Sequence, residues 1–137
     1  MKTKLLVTFL PLGLLLLTAN LPAQPGGTSC TDAIVAQTGT NHANNSAGDQ
    51  WFVYSTNQPK RVTISTCGLT NEDTYVLVYS GNCNSLVWIG NSDDNCGLQT
   101  NYSFDASAGV NYYIVWKNWK TSGSYDWTLT ERNQQPG

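Results

Sequence analysis

The chain has 137 residues, of which 12% are charged, and a formal net charge of −2. Without the two lysines of its leader, five basic and nine acidic residues remain, which is a net charge of −4. So few basic residues provide no surface that follows a phosphate backbone and no basic face for anionic lipid, so nucleic-acid and lipid partners are not expected. The remaining length corresponds to about one domain.

The first residues are typical of a secretory signal peptide. Two lysines precede an almost wholly apolar run at 5–17, and this run is too short for a transmembrane helix. We expect cleavage after Ala23, with Ala19 as the alternative. The sequence therefore predicts a signal peptide over 1–23 and a secreted, extracellular protein without membrane insertion.

The rest of the chain has the pattern of a β-protein. Residues 24–29 are rich in Pro, Gly, Ser and Thr and are expected to form a flexible leading segment. Apolar and polar residues then alternate in short runs separated by turn residues, at 51–54, 61–66, 74–79, 86–89, 101–105, 110–116 and 124–130. No stretch has a helical period. The pattern predicts an all-β sandwich or barrel of about seven to nine strands over 30–131, followed by a polar tail or linker at 132–137.

The four cysteines form an even set, which in an exported chain predicts two disulfides. None lies in a C-x-x-C pair, so zinc or redox chemistry is disfavoured. Three pairings are open. We favour Cys30–Cys67 and Cys83–Cys96, because each closes a local loop.

Catalytic residues are hard to find in this chain. His42 is the single histidine and lies in a polar stretch that is expected to be a solvated loop. A small hydrolase using Asp93 and Asp94 is an alternative, but no base partner accompanies them. The sequence therefore predicts that the protein is not an enzyme.

Asp93 and Asp94 concentrate oxygen ligands in a loop after a strand, and Asp73 stands just before another strand. Adjacent carboxylates repel, and calcium accepts six to eight oxygen ligands. We predict a calcium site at these three residues if the two loops meet. The alternative is a solvated acidic turn in which Asp and Asn cap the chain.

Trp119 differs from the other four tryptophans. Trp51, Trp88, Trp116 and Trp127 lie in apolar or alternating runs and are expected in the core. Trp119 lies between charges, with Asn118 and Lys120 as its neighbours. An exposed indole beside amide and ammonium donors is suited to sugar binding. The alternative is a tryptophan that folds over its loop and seals the core.

A family resemblance is carried by most of the domain. The matching segments are 51–54 (WFVY), 62–68 (VTISTCG), 73–83 (DTYVLVYSGNC), 93–96 (DDNC), 109–115 (GVNYYIV) and 123–129 (GSYDWTL). In these segments the chain resembles the bacterial pre-peptidase C-terminal domain family. One departure is Ser92, which stands directly before the two aspartates where the family usually has asparagine.

The resemblance implies a non-catalytic, jelly-roll-like antiparallel β-sandwich of the kind appended to secreted peptidases. Some relatives bind calcium, and others bind collagen or polysaccharide, which supports the calcium site at Asp73, Asp93 and Asp94. The expected function is a secreted binding or adhesion module whose partner is a polysaccharide or an extracellular protein. The alternative is a structural domain that forms homo-oligomers by pairing its strand edges.

Overall fold

The computed structural model describes residues 26–136. The predicted signal peptide lies outside the described residues. Nine strands form in this part of the chain, and two short 3-10 helices accompany them at Cys30–Asp32 and Asn45–Ala47. The strands are β1 (Ile34–Val35), β2 (Gly39–Asn44), β3 (Gln50–Tyr54), β4 (Lys60–Ser65), β5 (Tyr75–Asn82), β6 (Ser85–Asp93), β7 (Asn101–Ala106), β8 (Tyr112–Trp116) and β9 (Ser124–Asn133).

The strands form two sheets that pack face to face. The five-stranded sheet has the order β1-β3-β8-β5-β6, and the four-stranded sheet has the order β2-β9-β4-β7. All neighbours are antiparallel except β1 and β3. The predicted jelly-roll-like β-sandwich is confirmed. Within residues 26–136 no helix is long and apolar enough to cross a bilayer.

The core lies between the sheets and is built on two of the tryptophans predicted there. Trp116 on β8 and Trp127 on β9 are fully buried, with ring centroids 5.5 Å apart. Phe52 meets Trp127 edge-on at 4.9 Å. Aromatic pairs in these geometries add about 0.5–1.5 kcal/mol to the free energy of burial. The period-two pattern of β9 therefore predicted its inward face correctly, whereas β8 is apolar and buried at every position.

The sequence did not predict strand β1, and strands β2 and β6 differ from their prediction. His42 lies on strand β2 rather than in a loop, because the polar segment Gly39–Asn44 pairs along its whole length with β9. Backbone pairing here overrides a composition that lacks β-branched apolar residues. Strand β6 is also longer than the predicted 86–89, because its partner β5 continues the ladder to Asp93.

The favoured disulfide pairing is wrong. The structure joins Cys30 to Cys83 and Cys67 to Cys96, with Cα–Cα distances of 5.6 and 5.9 Å. Strand β6, of nine residues, separates Cys83 from Cys96. Nine extended residues span about 30 Å, which is far beyond the reach of a disulfide. Each cysteine instead meets the one brought to its own end of the sandwich.

The two ends of the domain are held by hydrogen bonds. The Trp51 amide donates to the Gly27 carbonyl at 2.7 Å, and the Gln50 side chain donates to the Gly26 carbonyl at 3.0 Å. A side chain at Gly27 would collide with Gln50, so the close approach requires glycine there. The segment predicted to be a flexible lead therefore lies packed on β3 from residue 26 onward. At the other end, β9 continues to Asn133, into the segment predicted to be tail.

Candidate binding surfaces

The outer face of the five-stranded sheet is apolar and aromatic. Cross-strand partners share a face, and the register pairs Trp51 with Val115, Tyr79 with Tyr113, and Tyr79 with Trp88. We call this surface the aromatic face. Its members are Trp51, Val53, Tyr75, Leu77, Tyr79, Trp88, Tyr113 and Val115.

Within residues 26–136 no second layer of strands covers the aromatic face, yet its centre is buried. Val115 and Tyr113 are only 1% and 6% exposed. Larger neighbours surround them: Trp51 stacks with Tyr79 at 6.3 Å, and Tyr79 meets Trp88 edge-on at 5.6 Å. The aromatic face is therefore a second apolar cluster, one layer thick.

The prediction that Trp51 and Trp88 lie in the core is wrong for both. Trp51 is half-buried on the aromatic face, and Trp88 is 53% exposed on β6. Period two places residues on alternate faces of a strand but does not identify which face meets the other sheet. A usable signal was present in β5, where both alternate sets, Val76 with Val78 and Tyr75 with Leu77 and Tyr79, are apolar.

Trp119 lies at one end of the aromatic face and is 63% exposed. Its ring meets Tyr75 edge-on, with the centroids 5.5 Å apart. The Asn91 amide donates to the Tyr75 hydroxyl at 2.8 Å. Trp119 therefore does not seal the core; Tyr75 supports it from below and Asn91 supplies a polar group beside it.

The loop that carries Trp119 is anchored by Asp49. The Asn118 backbone amide donates to the Asp49 carboxylate at 3.0 Å, and Lys117 forms an ion pair with the same carboxylate. The Asn118 side chain is exposed. Asp49, which the sequence did not single out, therefore positions the loop.

The three aspartates proposed as metal ligands lie together. Asp93 ends β6 opposite Tyr75 on β5, and Asp73 precedes β5. One carboxylate oxygen from each of Asp73, Asp93 and Asp94 lies within 4.8 Å of the others. Asp94 reaches this position with a left-handed backbone, at φ 53°. We call these residues the acidic cluster.

Lys120 joins the acidic cluster to Trp119. Its ammonium nitrogen is 3.1 Å from an Asp93 oxygen, 3.7 Å from an Asp73 oxygen, and 5.0 Å from the centre of the Trp119 ring. The hydrogen bond to Asp93 is the main cause of a raised pKa for Lys120, and the charges of Asp73, Asp93 and Asp94 add to it. The acidic cluster and Trp119, which were separate predictions from the sequence, thus meet at one corner of the molecule.

The acidic cluster has the donor chemistry that a calcium ion requires. The Oδ1 atoms of Asp73 and Asp93 are buried and have no hydrogen-bond partner in the part of the chain that the structure describes, while Lys120 contacts their Oδ2 atoms. Three carboxylates and one ammonium leave a net charge of −2. Unpartnered buried carboxylate oxygens are costly unless a cation or a donor meets them. The residues therefore fit a divalent cation held by Asp73, Asp93 and Asp94.

His42 lies on the other sheet, far along the chain from this corner. Its Nδ1 is 2.9 Å from an Asp126 oxygen, and both side chains are more than half exposed. The pair lies across β2 and β9. It is an exposed cross-strand contact of the four-stranded sheet.

Similarity to known proteins is found among solved structures. No family model matches the chain, and no curated protein matches it. Among solved structures, it is similar to the crystal structure of the pre-peptidase C-terminal domain of a collagenase from Bacillus anthracis. The TM-score is 0.54 and the sequence identity 15%, over 72% of this chain and 94% of that one.

At this identity the similarity concerns the fold. It agrees with the fold that the resemblance in the strand segments implies. The chain has the fold of a pre-peptidase C-terminal domain.

Proposed function

We propose that the protein is an exported, non-catalytic module that binds carbohydrate at the Trp119 end of the aromatic face. The observation that carries this proposal is Trp119 itself, 63% exposed, supported by Tyr75 and flanked by Lys120 and Asn91. Sugar rings present an apolar face that stacks on an indole, while their hydroxyls need nearby donors and acceptors. The two disulfides support export to an oxidising compartment.

The extent of the aromatic face indicates which kind of carbohydrate would bind. Beyond Tyr75 it continues through Leu77 to Tyr79 on β5 and to Trp88 on β6. Aromatic groups that follow one another along one surface suit an extended polysaccharide better than a single small sugar. An extracellular protein is the competing partner, because exposed aromatic residues are also enriched in protein interfaces.

The test is binding of the oxidised protein to a broad glycan array and to a panel of matrix proteins. We expect a polysaccharide ligand whose affinity falls at least about tenfold in Trp119→Ala, which corresponds to about 1.4 kcal/mol. Leu69→Ala is the matched control, because it removes exposed apolar surface from the β4–β5 loop. Equal binding by wild type and Trp119→Ala would reject this surface. Binding to matrix proteins alone would replace the carbohydrate proposal.

Calcium is the second component of the proposal, with Asp73, Asp93 and Asp94 as its ligands. A ligand that binds only the folded state raises the melting temperature as its concentration rises. We expect such a rise with calcium, reversed by a chelator and lost in Asp73→Ala and Asp94→Ala. Asp105→Ala, on the four-stranded sheet, is the matched control.

Lys120→Met sharpens the calcium test. Removing the ammonium changes the net charge of the corner from −2 to −3, so the calcium affinity should increase. If neither wild type nor Lys120→Met responds to calcium, the acidic cluster is a solvated turn that Lys120 neutralises in part.

Self-association is a second candidate function, favoured by β6. This strand ends the five-stranded sheet, and Val87, Trp88 and Ile89 are consecutive exposed apolar residues on it. Segment 85–92 has no charged residue, so two copies could pair edge to edge without repulsion. Sedimentation should show a dimer that Val87→Lys dissociates. Monomer alone over a wide concentration range would exclude this function.

A further inference from the structure

The outer face of the four-stranded sheet contains two arginines directly opposite each other. Arg61 on β4 is the cross-strand partner of Arg132 on β9. Val62 on β4 and Leu129 on β9 are buried on the inner face. Arg61 and Arg132 are an odd number of residues away from them, so both arginine side chains lie on the outer face. Like charges at opposed positions disfavour the sheet. An arrangement that costs stability calls for an explanation at this position.

Only one of the two arginines has a carboxylate partner. Arg61 forms an ion pair with Asp105 on β7 at 3.1 Å. Arg132 makes no ion pair within residues 26–136, whereas Lys117 and Lys120 both pair with aspartates. At this position on β4 and β9, a guanidinium without an ion-pair partner within residues 26–136 therefore lies beside a second guanidinium, in a domain whose overall charge is negative.

These side chains line an open groove. Its walls are Arg61, Asp105, Arg132, Asn133, Gln134 and Gln135. The next row of the same face has the hydroxyl groups of Thr63, Ser103 and Thr130, which the register places side by side. Every residue that lines the groove has a polar or charged side chain, and the aliphatic stems of these side chains form part of its surface.

We propose that this groove binds the carboxylate groups of an acidic polysaccharide. Guanidinium groups present paired N–H donors that match a carboxylate, and two of them on adjacent strands could hold one carboxylate or two successive ones. The amides and hydroxyls would bind the sugar hydroxyls. The amide and hydroxyl groups beside the arginines favour a uronic acid polymer, which has many hydroxyls, over an acidic peptide. The proposal does not depend on Trp119, which belongs to the other sheet.

The probe is a trimer of galacturonic acid, compared with a neutral galactose trimer of the same length. Binding is followed by the chemical shifts of the backbone amides in the oxidised protein. We expect the acidic trimer alone to shift amides around Arg61, Thr63 and Arg132. In Arg132→Gln the affinity should fall about tenfold, as for the loss of one charge-assisted contact, while the melting temperature should not fall.

Lys60→Gln is the matched control, since it removes one positive charge from β4 and Lys60 is not a lining residue of the groove, although its ammonium bonds the lining residue Asn133. An equal loss of affinity in Lys60→Gln and Arg132→Gln would show that the trimer is held by general electrostatic attraction, and this result would overturn the proposal. Equal binding of the neutral trimer, or shifts confined to the aromatic face, would also overturn it. Binding of an acidic peptide but not of the trimer would overturn the polysaccharide assignment. Trp119→Ala should leave this binding unchanged, which separates it from the aromatic-face proposal.

Discussion

The two outer faces of this sandwich differ in a way that the strand patterns only partly indicate. On the four-stranded sheet the outer positions are polar, and Thr63 on β4 hydrogen-bonds Ser103 on β7 at 2.6 Å. On the five-stranded sheet the outer positions are apolar, and Val115 is as buried there as residues between the sheets. Antiparallel sandwiches commonly have polar outer faces. The aromatic face is therefore an apolar surface that packing between the two sheets does not require.

Removing the disulfides should cause the largest losses in the free energy of unfolding. The two disulfides hold opposite ends of the aromatic face. Cys30–Cys83 lies at the β5–β6 turn, and Cys67–Cys96 lies beside the acidic cluster. Replacing either pair by serine should lower the free energy of unfolding by about 2–5 kcal/mol. Chain entropy predicts the larger loss for Cys30–Cys83, whose sequence separation is 53 against 29.

Urea denaturation of the two double-serine variants measures this difference. A greater loss for Cys67–Cys96 would mean that local contacts at the acidic end, rather than loop entropy, set the cost. Binding at Trp119 should weaken in the Cys67–Cys96 variant if that disulfide positions the acidic end of the aromatic face.

Val115→Ala and Thr63→Ala compare the two faces directly. Val115 is 1% exposed and loses two methyl groups, so we expect a loss of about 2 kcal/mol, including the cavity. Thr63 is half-buried and gives up one hydrogen bond to Ser103, so about 0.5–1.5 kcal/mol is expected. Thermal and urea unfolding check both values. Equal losses would show that the aromatic face is not a packed cluster.

The sequence predicted the fold because short apolar runs bounded by turn residues recur along the chain, and β9 alternates clearly. Trp127 falls on the apolar side of β9, whereas β8 is apolar on both faces; Trp116 and Trp127 are both fully buried. It failed for Trp51 and Trp88 because both alternate sets on the neighbouring strands are apolar, so neither face identifies itself as the inner one. It also missed β2, whose sequence GTNHAN has no strand composition and becomes a strand only beside β9.

The candidate site was predictable in parts but not as a whole. The oxygen-rich residues Asp73, Asp93 and Asp94 are visible in the sequence, and so is the unusual setting of Trp119. Their meeting through Lys120 is not visible, because it depends on the β8–β9 loop lying beside the β6 terminus. The disulfide pairing failed for a related reason: a nine-residue strand separates cysteines that are close in sequence.

Asp32 makes the edge of the aromatic face sensitive to acid. Hydrogen bonds from Thr28 and Ser29 lower the pKa of Asp32 from 3.8 to about 2. A lowered carboxylate pKa stabilises the fold above pH 3.8, and this contribution is lost as the pH falls through 2. Asp32→Asn should therefore lower the melting temperature at pH 7 and have a smaller effect at pH 2. An equal decrease at both pH values would assign the effect of Asp32 to its shape rather than its charge.

Arg132→Gln gives the smallest effect and is the one substitution expected to stabilise the domain. It removes the like-charge opposition with Arg61 and leaves the Arg61–Asp105 pair intact, so we expect a gain of about 0.2–1 kcal/mol at low ionic strength. Salt should diminish the gain, because it screens exposed charges. Lys60→Gln, which removes a charge bonded to Asn133, should give no gain.

Arg132→Gln is expected to be more stable than the wild type and to bind the acidic trimer more weakly. This combination would mean that the outer face of the four-stranded sheet retains an unfavourable contact between two arginines because the ligand needs both. Truncation at the centre of the aromatic face, by contrast, only lowers stability. If Arg132→Gln is instead less stable than the wild type, Arg132 contributes packing, and the opposition of the two arginines is no argument for a binding site.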